Sequence, residues 1–280
     1  MNSIIDDLKH QYKFGGVTQK LIFWNITIFF IGVILFYNFK NGVFDYPSWI
    51  ALYSNYNQLL FKPWTLISYM FLHAGIVHLL FNLLMLHFVS RFFLTFFNER
   101  QLLSCFLLGG FFAGLVYVVI FTFFKQNTPI VGSSGSVMSL LIAATTYAPY
   151  YILQVPLVGK IKLWYVTGII LSFDVLQLLL VNTGGHVVHL SGGLFGYIFV
   201  VLLKSGIDVT KPLNQVSLKK TSKNKTPFSK IHVNKNVSNF SNTKANIEQK
   251  QVDDILDKIS KSGYDSLSKS EKEFLFKLGK

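Results

Sequence analysis

The chain has 280 residues, of which 51% are hydrophobic, 28 are Phe and only 14% are charged. That composition excludes an ordinary soluble globule and fits a polytopic membrane protein. The net charge of +13 is no argument for a nucleic-acid partner, because the excess sits in a C-terminal tail and beside apolar segments, where lysines flank membrane helices.

Residues 1–20 mix acids with lysines and precede the first apolar run. No small-residue cleavage site follows that run, so no secretory signal peptide is expected. Apolar runs cover Leu21–Tyr37, Ile76–Ser90, Leu102–Phe124, Ser134–Tyr150, Leu163–Val181 and Val187–Leu203. Most approach the roughly 20 residues a helix needs to cross a bilayer core. The second and fourth are short or polar-tinged, which predicts ends buried in protein rather than facing lipid. Six transmembrane helices are predicted. Between the first two, Asn38–Ala74 carries Trp49, Tyr53, Tyr56, Phe61, Trp64 and Tyr69, a pattern suited to the membrane interface. Cys105, the single cysteine, reads as a buried apolar group.

Six crossings put both termini on one side. That side collects Lys9, Lys13, Lys20, Arg91, Arg100, Lys160, Lys162 and Lys204, against Lys40, Lys62 and Lys125 on the other. The positive-inside rule places both termini in the cytoplasm, so the second, fourth and sixth helices start outside. The expected location is an integral position in a bacterial cytoplasmic membrane.

Residues 205–247 are rich in Lys, Ser, Asn and Thr, and from Thr210 to Ile247 contain no acid. They read as a disordered basic linker. Residues 248–280 read as a small cytoplasmic helical hairpin. Ile255, Leu256 and Ile259 form one stripe, Gly263 breaks the pattern, and Ser268 with Glu271 has capping-box spacing ahead of Phe274, Leu275 and Leu278. The partner of this hairpin is not legible in its residues.

Chemistry is carried by three polar clusters at outer helix ends. Gly132–Gly135, G-S-S-G, opens the fourth run, where unpaired N–H groups and the positive dipole end suit a developing oxyanion. His186 and His189 open the sixth, and His189, Gly192 and Gly196 share one face, which would bring that imidazole close to a neighbouring helix. His78 and Asn82, four residues apart on one face, occupy the outer half of the second. His186 reads as solvated, His73 as shaping the start of the second helix, and His87 as structural. Asp174 falls in the middle of the fifth run, too deep to be the obvious partner of His189, and reads as a paired structural polar group. Zinc held by His78, His186 and His189 is disfavoured, since no H-E-x-x-H occurs and no acid is expected near them. A transporter is disfavoured by the lack of an inverted repeat.

Taken together, G-S-S-G, H-x-x-G-x-x-x-G and H-x-x-x-N resemble the rhomboid intramembrane serine proteases over roughly residues 20–204. The resemblance implies an all-α, six-helix bundle at 21–204 with a cytoplasmic tail, needing no cofactor or metal, which cleaves transmembrane segments of protein substrates near the outer face of the lipid bilayer. It also implies the roles: Ser134 as nucleophile, His189 as general base, and His78 with Asn82 at the oxyanion. Met138 stands where the family usually carries an aromatic residue four positions after the nucleophile, and Val188 where a small residue often precedes the histidine. Met138 is the one support for an alternative, a weak or inactive rhomboid-like protein that binds membrane clients.

Overall fold

The structure, a computed structural model, describes residues 3–155, 159–178, 182–211 and 242–278. Two compact units, 1–218 and 219–280, divide the chain. The linker read over 205–247 falls largely on 212–241, outside the described residues.

In the first unit, α1 (Ile4–Phe14) precedes α2 (Val17–Phe36), which starts ahead of the apolar run because Gly16 provides its N-cap. Then come α3 (Tyr56–Phe61), α4 (Thr65–Ser68), a 3-10 turn at Tyr69–Phe71, and α5 (Ile76–Phe96). After α5 the chain reverses within two residues into α6 (Glu99–Phe123), and Asn98 and Gln101 close a reciprocal capping box there. The bundle ends with α7 (Ser134–Tyr147), α8 (Leu163–Gln177) and α9 (Thr183–Lys204).

Four of these helices, α2, α5, α6 and α9, are long and apolar enough to cross a membrane. Two further apolar helices are shorter, with 14 residues in α7 and 15 in α8. At about 1.5 Å per residue neither matches a hydrocarbon core of about 30 Å. For α7 the reason is visible in its burial. Gly135–Leu141, Ala143 and Ala144 are all buried, so protein rather than lipid surrounds it and its ends need not reach the headgroups.

The helix contacts follow from small residues. Gly192 and Gly196 of α9 lie directly on α7: a methyl at Gly192 would collide with the Gly135 carbonyl, and one at Gly196 with the Ser139 carbonyl. Only glycine permits that approach. On the outward faces, Ile34, Leu35, Val119 and Leu194 are exposed, as lipid contact requires.

The connections depart from an all-α pattern. Three short antiparallel pairs occur among the described residues: β1 (Tyr37–Asn38) with β2 (Val43–Phe44), β3 (Leu52–Tyr53) with β4 (Pro129–Ile130), and β5 (Ile152–Val155) with β6 (Gly159–Lys162). Backbone polar groups tucked against apolar helices must find partners, and strand pairing supplies them. The long first connection is thus more than an aromatic anchor. Its Trp49, Tyr56, Phe61 and Trp64 are exposed, but Ala51, Leu52, Leu66, Tyr69 and Met70 are buried. The Tyr69 hydroxyl donates to the Gly110 carbonyl at 2.6 Å.

The second unit contains α10 (Asn242–Ser262), a 3-10 turn at Tyr264–Ser266 and α11 (Lys269–Leu278). Its first helix starts at Asn242, inside the stretch read as linker and ahead of the expected boundary at 248. Gly263 takes φ +76 at the break, a conformation that glycine adopts without strain. The Ser268 N–H donates to Glu271 at 2.7 Å, and the Glu271 N–H to Ser268 Oγ at 3.4 Å, completing the capping box. Lys258 also reaches Glu271 at 3.0 Å. The backbone N–H of Ser268, then Lys258, holds the Glu271 carboxyl down at about 2.

Candidate active site

The mouth of α7 is fixed from the segment before it. β4 is paired to β3, and two residues later the Gly132 N–H donates to the Tyr69 carbonyl at 2.9 Å. Gly132 has φ +129, a region that side-chain-bearing residues rarely occupy. A methyl there would also press on His78, with its Cε1 only 2.9 Å and its Nε2 3.0 Å away. Glycine therefore both permits the turn and leaves room for the His78 ring. Ser134 follows as the first residue of α7, half-buried.

Ser134, His78, Asn82 and His189, the four residues singled out from sequence, line one cavity of about 500 Å³. Its apolar walls come from Phe81 and Met85 of α5 and from Ile169, Ile170 and Phe173 of α8. Met138, one turn below Ser134, is buried and lines the same cavity.

The hydrogen bonds constrain which protons each group carries. The Ala74 N–H donates to His78 Nδ1 at 3.4 Å, a long bond. With Nδ1 accepting, neutral His78 carries its proton on Nε2, the nitrogen beside Gly132. Asn82 gives one N–H to the His78 carbonyl at 2.8 Å, and its Oδ1 accepts from Ser133 Oγ at 3.1 Å. One amide proton of Asn82 stays available. Ser133, fully buried, therefore orients Asn82. His73, ahead of α5, is buried with its ring 5.2 Å from that of His78. Burial, and secondly the neighbouring His78, pulls His73 down to about 3, so it is neutral at ordinary pH.

Two residues acquire partners that the sequence reading denied them. Asp174 Oδ1 lies 2.8 Å from His189 Nδ1 and 2.7 Å from His186 Nδ1. Asp174 is therefore not too deep, and His186 is not simply solvated. The error came from equating an apolar run with a helix. The run extends to Val181, but α8 ends at Gln177, which puts Asp174 within one turn of the helix end, level with the first turns of α9. The signal was present in sequence: a lone acid within an apolar helix is a functional candidate by default. The premise that no acid lies near the histidines falls as well. Asp174, His186 and His189 bring their ligand atoms within 4.8 Å of one another, and are the described residues able to hold a metal.

The Asp174 contact sets the state of His189. A carboxylate accepts, so Nδ1 must carry the proton, and the lone pair of neutral His189 is on Nε2. An imidazole so held can act as a proton acceptor at Nε2.

Comparison with known proteins identifies the family. The rhomboid domain model matches residues 60–206, and a family of unknown function (DUF6576) matches 238–280. Presenilin-associated rhomboid-like protein A, mitochondrial, from Danio rerio is 28% identical over 133 residues, which cover 46% of this chain and 35% of that protein. The match thus spans about a third of the relative's length. Since the rhomboid domain takes up more than half of the chain, and its helices are those of a membrane protein, this chain belongs to the rhomboid family.

Proposed function

We propose that the protein is an intramembrane serine endopeptidase that cleaves transmembrane segments of other membrane proteins. Ser134 attacks the scissile carbonyl, and His189 Nε2 takes the Ser134 proton and returns it to the leaving amine. The Ser134 backbone N–H, His78 Nε2–H and the remaining Asn82 N–H hold the oxyanion, with one such donor worth roughly 3–4 kcal/mol in characterised hydrolases. Asp174 keeps His189 in the required tautomer and offsets the charge of the imidazolium as it forms. The observation that carries the reading is the bond from His189 Nδ1 to Asp174, which leaves Nε2 unprotonated on a residue that lines the same cavity as Ser134.

The apolar walls between α5 and α8 suit an apolar peptide arriving from the bilayer. On the proposed orientation all six bundle helices serve as crossings, both termini are cytoplasmic, and the site opens towards the outer face. A fluorophosphonate probe tests the reading directly, since only an activated serine attacks its phosphorus and displaces fluoride. Labelling should map to Ser134 and disappear in Ser134→Ala. Unlabelled wild-type protein, still folded, would favour a client-binding rhomboid-like protein without peptidase activity.

A further inference from the structure

Asp174 and the two histidines leave a chemical remainder. Two imidazole nitrogens point at one carboxylate oxygen, at 2.7 and 2.8 Å. The other oxygen, Oδ2, is buried with no hydrogen-bond partner among the described residues, and Asp174 as a whole is only 3% exposed. Hydrolysis uses one histidine. The second histidine and the orphaned oxygen need another explanation, because a buried carboxylate oxygen without a partner is costly.

We infer that Asp174, His186 and His189 form a binding site for a divalent transition-metal ion such as Zn²⁺, and that occupation of this site switches the peptidase off. Two imidazoles and a carboxylate are a borderline-soft donor set that suits Zn²⁺. Bonds of about 2.0–2.2 Å to a tetrahedral ion put adjacent ligand atoms about 3.3 Å apart. Each imidazole nitrogen reaches this by moving about half an ångström from the Asp174 oxygen, and the ligand atoms of all three residues already lie within 4.8 Å of one another. The carboxylate can offer either oxygen. The cavity in front of them is open to a water as fourth ligand.

The mechanism of inhibition follows from the tautomer. Without metal, His189 is protonated on Nδ1 and has its lone pair on Nε2. The metal needs the Nδ1 lone pair of each histidine, so on both rings the Nδ1 proton moves to Nε2. No net proton is lost and no redox change occurs. The His189 imidazole turns from an acceptor facing the cavity into a donor, and Ser134 loses its base. The inhibitory half rests on the peptidase reading, but the binding half does not.

The test uses the full-length protein in detergent, titrated with Co²⁺ followed by visible absorption and then displaced by Zn²⁺. The expected result is one ion per chain in both wild-type and Ser134→Ala protein, the latter showing that binding needs no activity. Asp174→Asn and His186→Gln, each checked for folding by thermal unfolding, should weaken binding about tenfold or more. Cleavage of a transmembrane peptide by the wild type should fall as Zn²⁺ fills the site and return with chelator. In His186→Gln, inhibition relative to its own metal-free rate should need at least about tenfold more Zn²⁺. Absence of Co²⁺ binding, or binding unchanged in both folded variants, would overturn the site. Binding without inhibition of a cleaving enzyme would overturn the switch. If no cleavage is seen at all, the peptidase reading fails, and the Co²⁺ titration still decides the site.

Discussion

Asp174 and His189, on neighbouring helices, are joined through Oδ1 and Nδ1 at 2.8 Å, and this one contact determines which nitrogen of His189 is free. Replacing the carboxylate by an amide tests whether that matters. In Asp174→Asn the side chain can donate to Nδ1 as readily as accept from it, and a donated bond selects the wrong tautomer. On the peptidase reading, kcat should fall by about 10²–10⁴ with KM nearly unchanged. A residue that merely packs α8 against α9 would instead alter thermal stability or KM while sparing kcat.

The serines at the mouth of α7 should separate cleanly. Ser134→Ala should abolish cleavage while the protein stays inserted and folded. Ser136→Ala should keep activity, because Ser136 Oγ is buried without a partner among the described residues and its removal takes away an unpaired hydroxyl. Ser133→Ala is the intermediate case. It frees Asn82 Oδ1 from a 3.1 Å bond, and should lower kcat partially without affecting fluorophosphonate labelling of Ser134. Equal activity of all three variants would remove serine chemistry from the protein.

The oxyanion donors give a graded expectation. His78→Ala and Asn82→Ala should each reduce kcat more than they raise KM, by up to about 10²–10³. Neither loss should be complete, since the Ser134 N–H remains. An effect confined to KM would assign these two to substrate binding or helix packing.

Much of this arrangement was legible because helical spacing is a rigid ruler. His78 with Asn82, and His189 with Gly192 and Gly196, share faces by periodicity alone, and these groups converge on one cavity or one helix contact. What escaped depends on where helices stop and on pairings distant in sequence. Counting residues along the fifth run buried Asp174 too deeply, since hydropathy continues past the last helical residue, Gln177. The bridge between Leu52–Tyr53 and Pro129–Ile130 is two residues long and leaves no alternation to read. The role of Ser133 in orienting Asn82 is a tertiary fact between residues 51 positions apart.

Helix packing provides a test away from the polar groups. A methyl at Gly192 would collide with the carbonyl of Gly135, next to Ser134. Gly192→Ala must push α9 from α7, with an overpacking cost of about 1–3 kcal/mol. Displacing His189 from Ser134 by even about 1 Å can cost about 10²-fold in rate. Gly168→Ala on α8 is the matched control, because nothing lies within 4 Å of its added methyl. Comparable activity in the two variants would show that close approach of α7 and α9 is not what aligns the site.

The final prediction separates the two compact units. All the proposed site residues, and the mouth of α7 that supports them, lie within residues 1–218, while α10 and α11 belong to 219–280. The cut matters in detail. Thr210, beyond the end of α9, is buried, and Val209 packs on the main apolar core, so a truncation directly after α9 would strip contacts from the bundle itself. Truncation after Leu218 keeps them. On the proposed orientation the site opens on the outer side, and the removed segment follows the cytoplasmic end of α9. The truncated protein in detergent should therefore match the full chain in kcat and KM on a transmembrane peptide, and in Ser134 labelling by a fluorophosphonate. Loss of the tail should show only in cells, as changed partner recruitment, oligomeric state or lifetime of the protein. A large fall in kcat on truncation, with the thermal unfolding of the bundle unchanged, would mean that the second unit acts on the site and that the two are not functionally separable.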